Sequence, residues 1–522
     1  MPPAFRANAR PLAPAPDLSR ALALHSQGDF AAAETIYRLA LAAQPRNLDA
    51  LNLIGVLLTQ TGRAAEGLAR IEAALAIKPD FLQALNNRAQ ALIALNRCEE
   101  AVACLDKALK LRPDYAPAHI NRAQALLALR RPAEALANLD RALALQPGSL
   151  EALDNLCAAL EELGRLDEAL AVADRALALK RDHAPAHNNR GVVLRELGRF
   201  GEAAAAFDRA LAAAPGFAEA RFNRATLALL RGDYASGWAD YESRWARPGA
   251  PARLVAGLPE WRGEPLEGRS LLVYAEQGFG DVIQFSRYLR RVDGATLRVP
   301  PALCALMRRL CPETPIVASA AGRWDLACAL ASLPRLCGGI PAPTPPAPDP
   351  KREAFWRERL GGHGLRIGIA WQGAKGGKVD VGRSAPLAEF APLARIPGVR
   401  LISLQKGEPL GDLPEVEAFD LDAGPDAFLD TAALMASLDL VVSTDTAIAH
   451  LAGALGRPVW AALKQVPDWR WGIERADSPW YPTMRLFRQR ARGDWPQVFA
   501  DMAGALRELA AAPCEGAPAS RQ

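Results

Sequence analysis

The sequence predicts an α-solenoid followed by a two-lobed parallel α/β region, and three observations carry that prediction. Residues recur at a fixed step of 34 through the first half of the chain. A Pro- and Gly-rich stretch then ends the periodicity. Beyond it, short apolar runs alternate with helical patterns, and a second Pro-rich stretch splits them in two.

The repeat comes first in the chain. Pro45, Pro79, Pro113 and Pro147 stand one step apart, and Pro215 two steps further, with Arg181 between. A second series runs Gly28, Gly62, Asn96, Arg130, Gly164, Gly198 and Gly232, and a third Ala40, Ala74, Ala108, Ala142, Ala176 and Ala210. A step of 34 is that of the tetratricopeptide helix-turn-helix repeat. Glycine suits the left-handed position that ends a helix. Proline falls between units, where a helix stops anyway. One unit cannot bury its apolar face, so units stack. About six units run from Pro14 to Phe217, and "AEARFNRATLALLRGDYASGWADYESRW" closes the stack. Its aromatics Trp238, Tyr241 and Trp245 suit a cap packed on the next domain better than a binding cage.

A fourth series bears on function. Asn87, Asn121, Asn155, Asn189 and Asn223 fall on the first helix of their units, which lines the concave face in this architecture. Arg88, Arg122, Arg190 and Arg224 follow four of them. A column of carboxamides can donate to and accept from a peptide backbone whatever its side chains. It can equally tie neighbouring repeats together.

After Trp245 the stretch "ARPGAPARLVAGLPEWRGEPLEGR" reads as a linker. "SLLVYAEQGFGDVIQFSRYLRRV" then gives an apolar run, a Gly-rich turn and an amphipathic helix, with shorter strands at "ATLRV" and "PIVAS". "IPAPTPPAPDP" reads as a stiff interlobe linker. Strands follow at "LRIGIAW", "VRLISLQ", "LDLVVST" and "PVWAAL", with helices at "LAEFAPLARI", "AFLDTAALMASL" and "TAIAHLAGAL". The last helical stretch, "WPQVFADMAGALREL", is expected to pack back across both lobes. The expected boundaries are a disordered N-terminus at 1–13, the solenoid at 14–247, a linker at 248–267, lobes at 268–339 and 365–511 joined through 340–364, and a tail at 512–522.

Composition excludes several classes. The 522 residues suit about three domains. A net charge of +4 without a basic block argues against nucleic-acid partners. No run of about 18 apolar residues occurs, so no membrane span is expected, and the N-terminus lacks the apolar core of a signal peptide. The chain reads as cytoplasmic. The eight cysteines form no Cys-x-x-Cys pair, which suits reduced structural thiols rather than zinc ligands.

Ligands of open α/β sheets bind beyond the carboxyl ends of the strands, and three polar loops fall there. "EQGFGD" holds Gly278, Gly280 and Asp281, the last either a first-turn acid of its helix or a general base. "WQGAKGGKVDVGRS" holds Lys375, Lys378, Asp380, Arg383 and Ser384, suited to a phosphate or to plain solvation. "STDTAIAH" puts Asp445 and Thr446 at a helix start, with His450 on the same face. It is an anion site or a capped helix with a buried histidine.

Taken together, "AEQGFGDVIQFSRYL", "SLQKGE", "STDTAIAHLAGALGRPVW" and "DSPWYPTMRLFRQ" resemble bacterial tetratricopeptide-repeat glycosyltransferases. The C-terminal half is similar to the heptosyltransferase family with the GT-B fold, and the layout resembles that of protein O-GlcNAc transferases. The resemblance runs from Leu18 to Leu509. It implies Asp281 as catalytic base. It implies Arg383, Ser384, Lys406, Asp445, Thr446 and His450 as contacts of a nucleotide-sugar donor, with the glycines of the "GFGD" turn beside them. It implies a protein acceptor on the Asn column. Many relatives read Asn-Pro-x-His before the "RS" pair, whereas this chain has Ala374, Lys375, Gly376 and Gly377. "DLD", Asp420 to Asp422, fits the Asp-x-Asp pattern of metal-dependent sugar transferases, but Arg and helix amides already suit the phosphate, so neither metal nor cofactor is expected. The expected activity is transfer of a sugar to a Ser or Thr hydroxyl of a protein, flagellin being one candidate. Two other readings are a non-catalytic repeat adaptor and an enzyme with a glycolipid acceptor that works without the repeats.

Overall fold

The computed structural model describes residues 17–250, 253, 255, 257–347, 349–373, 382–406, 410, 413, 415–419, 421 and 428–511. The chain forms two compact units, Met1–Val193 and Leu194–Gln522.

The first unit is built of helix pairs: Leu18–Ser26 with Phe30–Ala43, Leu48–Gln60 with Ala64–Ile77, Leu82–Ala94 with Cys98–Leu111, Ala116–Ala128 with Pro132–Leu145, and Leu150–Glu162 with Leu166–Leu179. Helix Ala184–Glu196 crosses the boundary, and Phe200–Ala213, Ala218–Leu230 and Tyr234–Tyr241 continue the pattern in the second unit. The sequence series explain the pairs. Every member of the Gly28–Gly232 series has positive φ, Asn96 and Arg130 included. There the chain leaves one helix and starts the next, closed by bonds such as Arg63 N–H to Leu58 C=O at 2.8 Å. All six alanines of the third series are buried where helices meet. An arginine reaches back 16 residues to an acid in the preceding helix: Arg88 to Glu72, Arg122 to Asp106, Arg190 to Asp174 and Arg224 to Asp208.

The rest of the second unit is parallel α/β. One sheet holds β1 (Leu271–Tyr274), β2 (Ala295–Arg298), β3 (Ile316–Val317) and β4 (Leu326–Ala329) in the order β3-β2-β1-β4. The other holds β5 (Leu365–Ala370), β6 (Val399–Ser403), β7 (Val416–Glu417), β8 (Leu440–Thr444), β9 (Val459–Leu463) and β10 (Met484–Arg488) in the order β10-β9-β8-β5-β6-β7. All pairings between these strands are parallel. The sequence missed β4, β7 and β10. β4 is Leu-Ala-Cys-Ala, β7 has two residues, and β10, Met-Arg-Leu-Phe-Arg at the sheet edge, lacks both β-branched residues and a strict alternation.

Two expectations need correction. The interlobe stretch holds a helix, Pro350–Leu360, started by Asp349, whose carboxylate accepts from Arg352 N–H, with Pro350 in its first turn. The final helix, Trp495–Ala511, does not bridge the lobes through its core face. Val498, Phe499, Met502 and Leu506 join Ile367, Ile369 and Leu401 in the second lobe's own core. The aromatics of the last repeat do cap the α/β part. Trp238 packs edge-on against Phe285 and Trp469, with centroids 6.0 and 5.2 Å away.

Candidate functional site

The first loop leaves β1 and turns into helix Phe279–Phe285. Asp281 sits in the first turn, where its Oδ2 accepts from Gly278 N–H at 2.9 Å. Its Oδ1 accepts from Arg470 of the second lobe. The carboxylate therefore serves as a first-turn acid and as one half of an ion pair, with 23% of the side chain still exposed. Burial pushes its pKa up, against the pull of Arg470.

The third loop leaves β8. The Thr446 hydroxyl accepts from Ile448 N–H at 3.2 Å and shares a bond of 2.9 Å with Ser443, so it caps helix Ala447–Ala454. His450 is 5% exposed. Its Nδ1 meets the Tyr481 hydroxyl at 3.0 Å, and its ring stacks on Trp471 at 5.2 Å. Burial, helped by Arg470, Arg287 and Arg383, holds its pKa far below the usual value, so the imidazole is neutral. Its Nε2 stands 4.0 Å from Asp445. The two loops meet here, because a Cβ on Gly280 would lie 2.8 Å from the His450 ring. Gly280 is required by this close approach of two helices, and Gly278 stands beside the Asp281 carboxylate. The side chains of Thr446 and His450, expected to touch a donor, are thus engaged by protein partners.

Of the second loop, Lys375, Lys378 and Asp380 lie outside the described residues, as do Ala374, Gly376 and Gly377; so do Asp420 and Asp422. Arg383 packs across Gly373, where a Cβ would collide with its guanidinium, and its buried Nε has no hydrogen-bond partner among the described residues. The Ser384 hydroxyl accepts from Gly373 N–H at 3.4 Å. Lys406 is exposed, its Nζ 5.5 Å from the Phe428 ring centroid. Beside it, Gln405 accepts from the N–H groups of Trp371 and Gln372 just past β5.

A cavity of about 310 Å³ brings part of this set together. One wall carries Arg383, Asp445, Lys464, Asp468 and Trp469 from the carboxyl side of the second sheet. The other carries Glu196, Phe222, Asn223, Thr226 and Arg247 from the last repeats. Asp445 is 9% exposed. Burial and the neighbouring Asp468 raise its pKa to about 6, with Arg383 and Arg470 opposing. Asp281 does not line the cavity and connects to it through Arg470, which also donates to Asp468 at 2.7 Å.

The sequence reading missed Asp468 and Arg470. Arg470 is 9% exposed, stacks on Trp469 at 4.2 Å and donates through Nε to Gln284 at 2.7 Å. Burial disfavours its charge, but Asp468 and Asp281 outweigh that and hold its pKa up. The available signal was position: "PDWRW" follows β9, a further parallel strand end.

The Asn column divides. Asn121 is 2% exposed; it donates to Asn86 at 2.8 Å and accepts from Gln90 at 3.4 Å, so it joins repeats and is not open to a ligand. Asn87 donates to Asn52 at 3.0 Å and Asn189 to the Asp154 carbonyl at 3.4 Å, both remaining half-buried, as is Asn155. Asn223 lines the cavity.

A separate cavity of about 280 Å³, among Arg309, Pro345, Leu429 and Arg457, holds none of the candidate residues. Among the described residues no group of three His, Cys, Asp or Glu is placed to hold a metal ion, and no helix is long and apolar enough to cross a membrane. The seven described cysteines are free thiols.

Comparison with known proteins agrees with the two-part layout. A tetratricopeptide repeat model matches residues 6–80, 86–149, 158–216 and 188–252. A model described as glycosyltransferase family 9 (heptosyltransferase) matches residues 418–480. Protein FlbA of Caulobacter vibrioides is 32% identical over 333 residues, 55% of this chain and 54% of FlbA, so the match spans about half the length of that relative. A thermophilic TPR protein of Thermus thermophilus covers 34% of this chain and 96% of its own, at 27% identity and a TM-score of 0.32. A tetratricopeptide repeat protein of Parabacteroides merdae covers 45% of this chain and 93% of its own, at 18% identity and a TM-score of 0.39. The chain carries tetratricopeptide repeats across its N-terminal half, followed by a parallel α/β region with a match to glycosyltransferase family 9.

Proposed function

We propose that this protein is a glycosyltransferase that moves a sugar from a nucleotide-sugar donor to a Ser or Thr hydroxyl of a protein acceptor. One observation carries the reading: the cavity that holds Arg383 and Asp445 at strand ends is walled on its other side by Asn223 and its neighbours in the repeats. The donor diphosphate would meet Arg383, Ser384, Lys406 and Asp445, together with the N–H groups at the start of helix Ala447–Ala454 that Thr446 frames. His450, Gly278 and Gly280 would act by fixing the two helices against each other. No metal or cofactor enters this reading.

In the reaction, the acceptor oxygen forms a bond to the anomeric carbon while the bond to the diphosphate breaks. Asp281, behind the cavity wall and joined to it through Arg470, would take the hydroxyl proton once that arginine turns from it to the diphosphate. Each of its oxygens already accepts one hydrogen bond and keeps a second lone pair for this purpose. Charge growing on the leaving diphosphate is met by Arg383 and the helix amides, which need no reorganisation at that moment. The repeats would hold the acceptor through Asn87, Asn155, Asn189 and Asn223.

Coexpression with flagellin and other candidate acceptors, read by intact mass, tests the reading. A sugar-sized mass gain is expected with the wild type and none with Asp281→Ala. A gain that survives the substitution removes Asp281 from its role. The adaptor reading is favoured by one observation, that both oxygens of Asp281 are already bonded within the protein. Thermal stabilisation by any of the UDP-, ADP-, GDP- or CMP-linked sugars would count against it.

A further inference from the structure

The cavity that holds Arg383 and Asp445 also holds a cation that the protein leaves uncommitted. Its walls carry Arg195, Arg247, Arg383 and Lys464 against Glu196, Asp445 and Asp468. Most of these charges are already matched. Arg195 donates to Glu196 at 3.2 Å, and Asp468 accepts from Arg470 at 2.7 Å. Arg247 lies 4.3 Å from the Phe222 ring centroid and has Glu219 within 4.0 Å. Arg383 packs across Gly373 and, with Arg470, opposes the raised pKa of Asp445. Lys464 differs. Its Nζ stands 4.0 Å from the Glu196 carboxylate, too far for a hydrogen bond, and it makes none among the described residues. An ammonium carries three N–H donors, and 31% of this side chain is open.

Position tells what the ammonium faces. The parallel strands β8 and β9 pair Thr444 with Ala462. Lys464 follows the last residue of β9 as Asp445 follows the last residue of β8, and both line the same cavity. Lys464 therefore stands at the carboxyl ends of the strands, on the wall that also carries Arg383. Two cations on one wall, one of them with all its donors unused, suit an oxyanion. Glu196 does not depend on Lys464 alone. Burial raises its pKa, but Arg195, Lys464 and Arg492 together outweigh that, and Arg195 stands closer. Glu196 thus stays paired when the lysine turns away.

We infer that Lys464 is a donor-binding residue, whose ammonium turns from Glu196 to the phosphate that leaves the sugar. The assignment rests on the proposed function. As the bond between the anomeric carbon and the phosphate oxygen breaks, its electron pair stays on that oxygen. The ammonium meets the new charge there together with Arg383.

The test sets Lys464→Met against Glu196→Gln in the full chain, with melting temperatures to show that each variant is folded. A mere tie between the sheet and the last repeats breaks equally in both. A phosphate contact is lost in the first and freed of its competitor in the second. Binding of UDP-, ADP-, GDP- and CMP-linked sugars and of inorganic pyrophosphate is read by calorimetry. Lys464→Met should weaken the nucleotide sugar that the wild type binds by about tenfold, the scale of one hydrogen bond to a charged group. Lys464→Arg should restore most of that, and Glu196→Gln should bind as tightly as the wild type or more so. Equal losses in Lys464→Met and Glu196→Gln overturn the assignment in favour of a tie, and wild-type affinity in Lys464→Met overturns it outright. If the wild type binds no nucleotide sugar, the proposed function falls, and pyrophosphate reads the residue separately. Pyrophosphate binding that Lys464→Met abolishes keeps Lys464 as a phosphate contact; no binding removes that role as well.

Discussion

Arg470, on the second lobe, donates to the carboxylate of Asp281, on the first. The same guanidinium binds Gln284 of the first lobe and Asp468 of the cavity wall, so one side chain joins both lobes and the site. Removing it would leave two acids facing each other without their cation. Arg470→Met is expected to destabilise the protein by about 3 kcal/mol, the usual cost of breaking a buried pair from one side. Arg470→Lys should lose part of that, because a single ammonium cannot reach three partners. Urea midpoints of the three proteins check the order; equal midpoints would rule out a stabilising role for the Arg470 bridge.

Gly280 owes its place to sterics, not to backbone conformation, since it is absent from the positive-φ glycines. A methyl group there must displace the His450 ring from Trp471 or push the helices apart. Overpacking of this kind costs about 1–3 kcal/mol. Gly280→Ala should lower the melting temperature, and Gly280→Val should lower it further.

Gly62 gives the opposite case. Its φ is +82°, and a Cβ there would meet nothing within 4 Å. The cost of Gly62→Ala is therefore conformational alone, about 1 kcal/mol or slightly more. Gly62→Asn should cost less than Gly62→Val, because asparagine tolerates the left-handed region and Asn96 already occupies it one repeat later. Thermal melts of the three variants read this ranking.

Glu276 gives the protein a pH dependence. Burial raises its pKa from 4.5 to about 7, although Arg244 opposes the shift. The folded state then holds this proton over a range where the unfolded chain has released it. Its contribution falls as pH rises from about 4.5 to about 7 and is constant above that. Glu276→Gln keeps a hydrogen-bonding group toward Arg244 and removes the titration. Relative to wild type it should gain stability across this window, by up to about 3 kcal/mol at 1.36 kcal/mol per unit. Melting temperatures of both proteins from pH 4.5 to pH 8 check the sign; parallel curves would refute it.

How much of this was written in the chain depends on whether a feature is periodic. The repeats were legible because every unit must turn and pack in the same way, so Gly28 to Gly232 and Ala40 to Ala210 recur at fixed steps. The strands with β-branched runs were legible too. β4 was not, since Ala and Cys carry little strand preference, and the helix Pro350–Leu360 was not, since it starts on the last proline of a proline-rich run. Within the site, the loops at strand ends were found by topology, but their partners were not. No spacing in the sequence says that Arg470 will meet Asp281, or that His450 needs Gly280, because those pairs form only when the two lobes close on each other. The Asn series looked uniform in sequence, yet burial differs along it.

That difference makes the column testable by position. Asn121 uses both ends of its carboxamide between repeats. Asn121→Ala would strand the Asn86 oxygen and the Gln90 amide, so it should cost about 1–3 kcal/mol in stability. Any loss of acceptor modification should then follow the loss of folded protein. Asn223 lines the cavity shared with Arg383 and Asp445. Asn223→Ala should slow modification of the acceptor more than its effect on the melting temperature accounts for, with nucleotide-sugar stabilisation retained. Intact-mass time courses, normalised to folded protein, compare the two variants directly. If Asn121→Ala lowers the normalised rate as much as Asn223→Ala does, the column acts through the repeats as a whole, and Asn223 has no special place at the site.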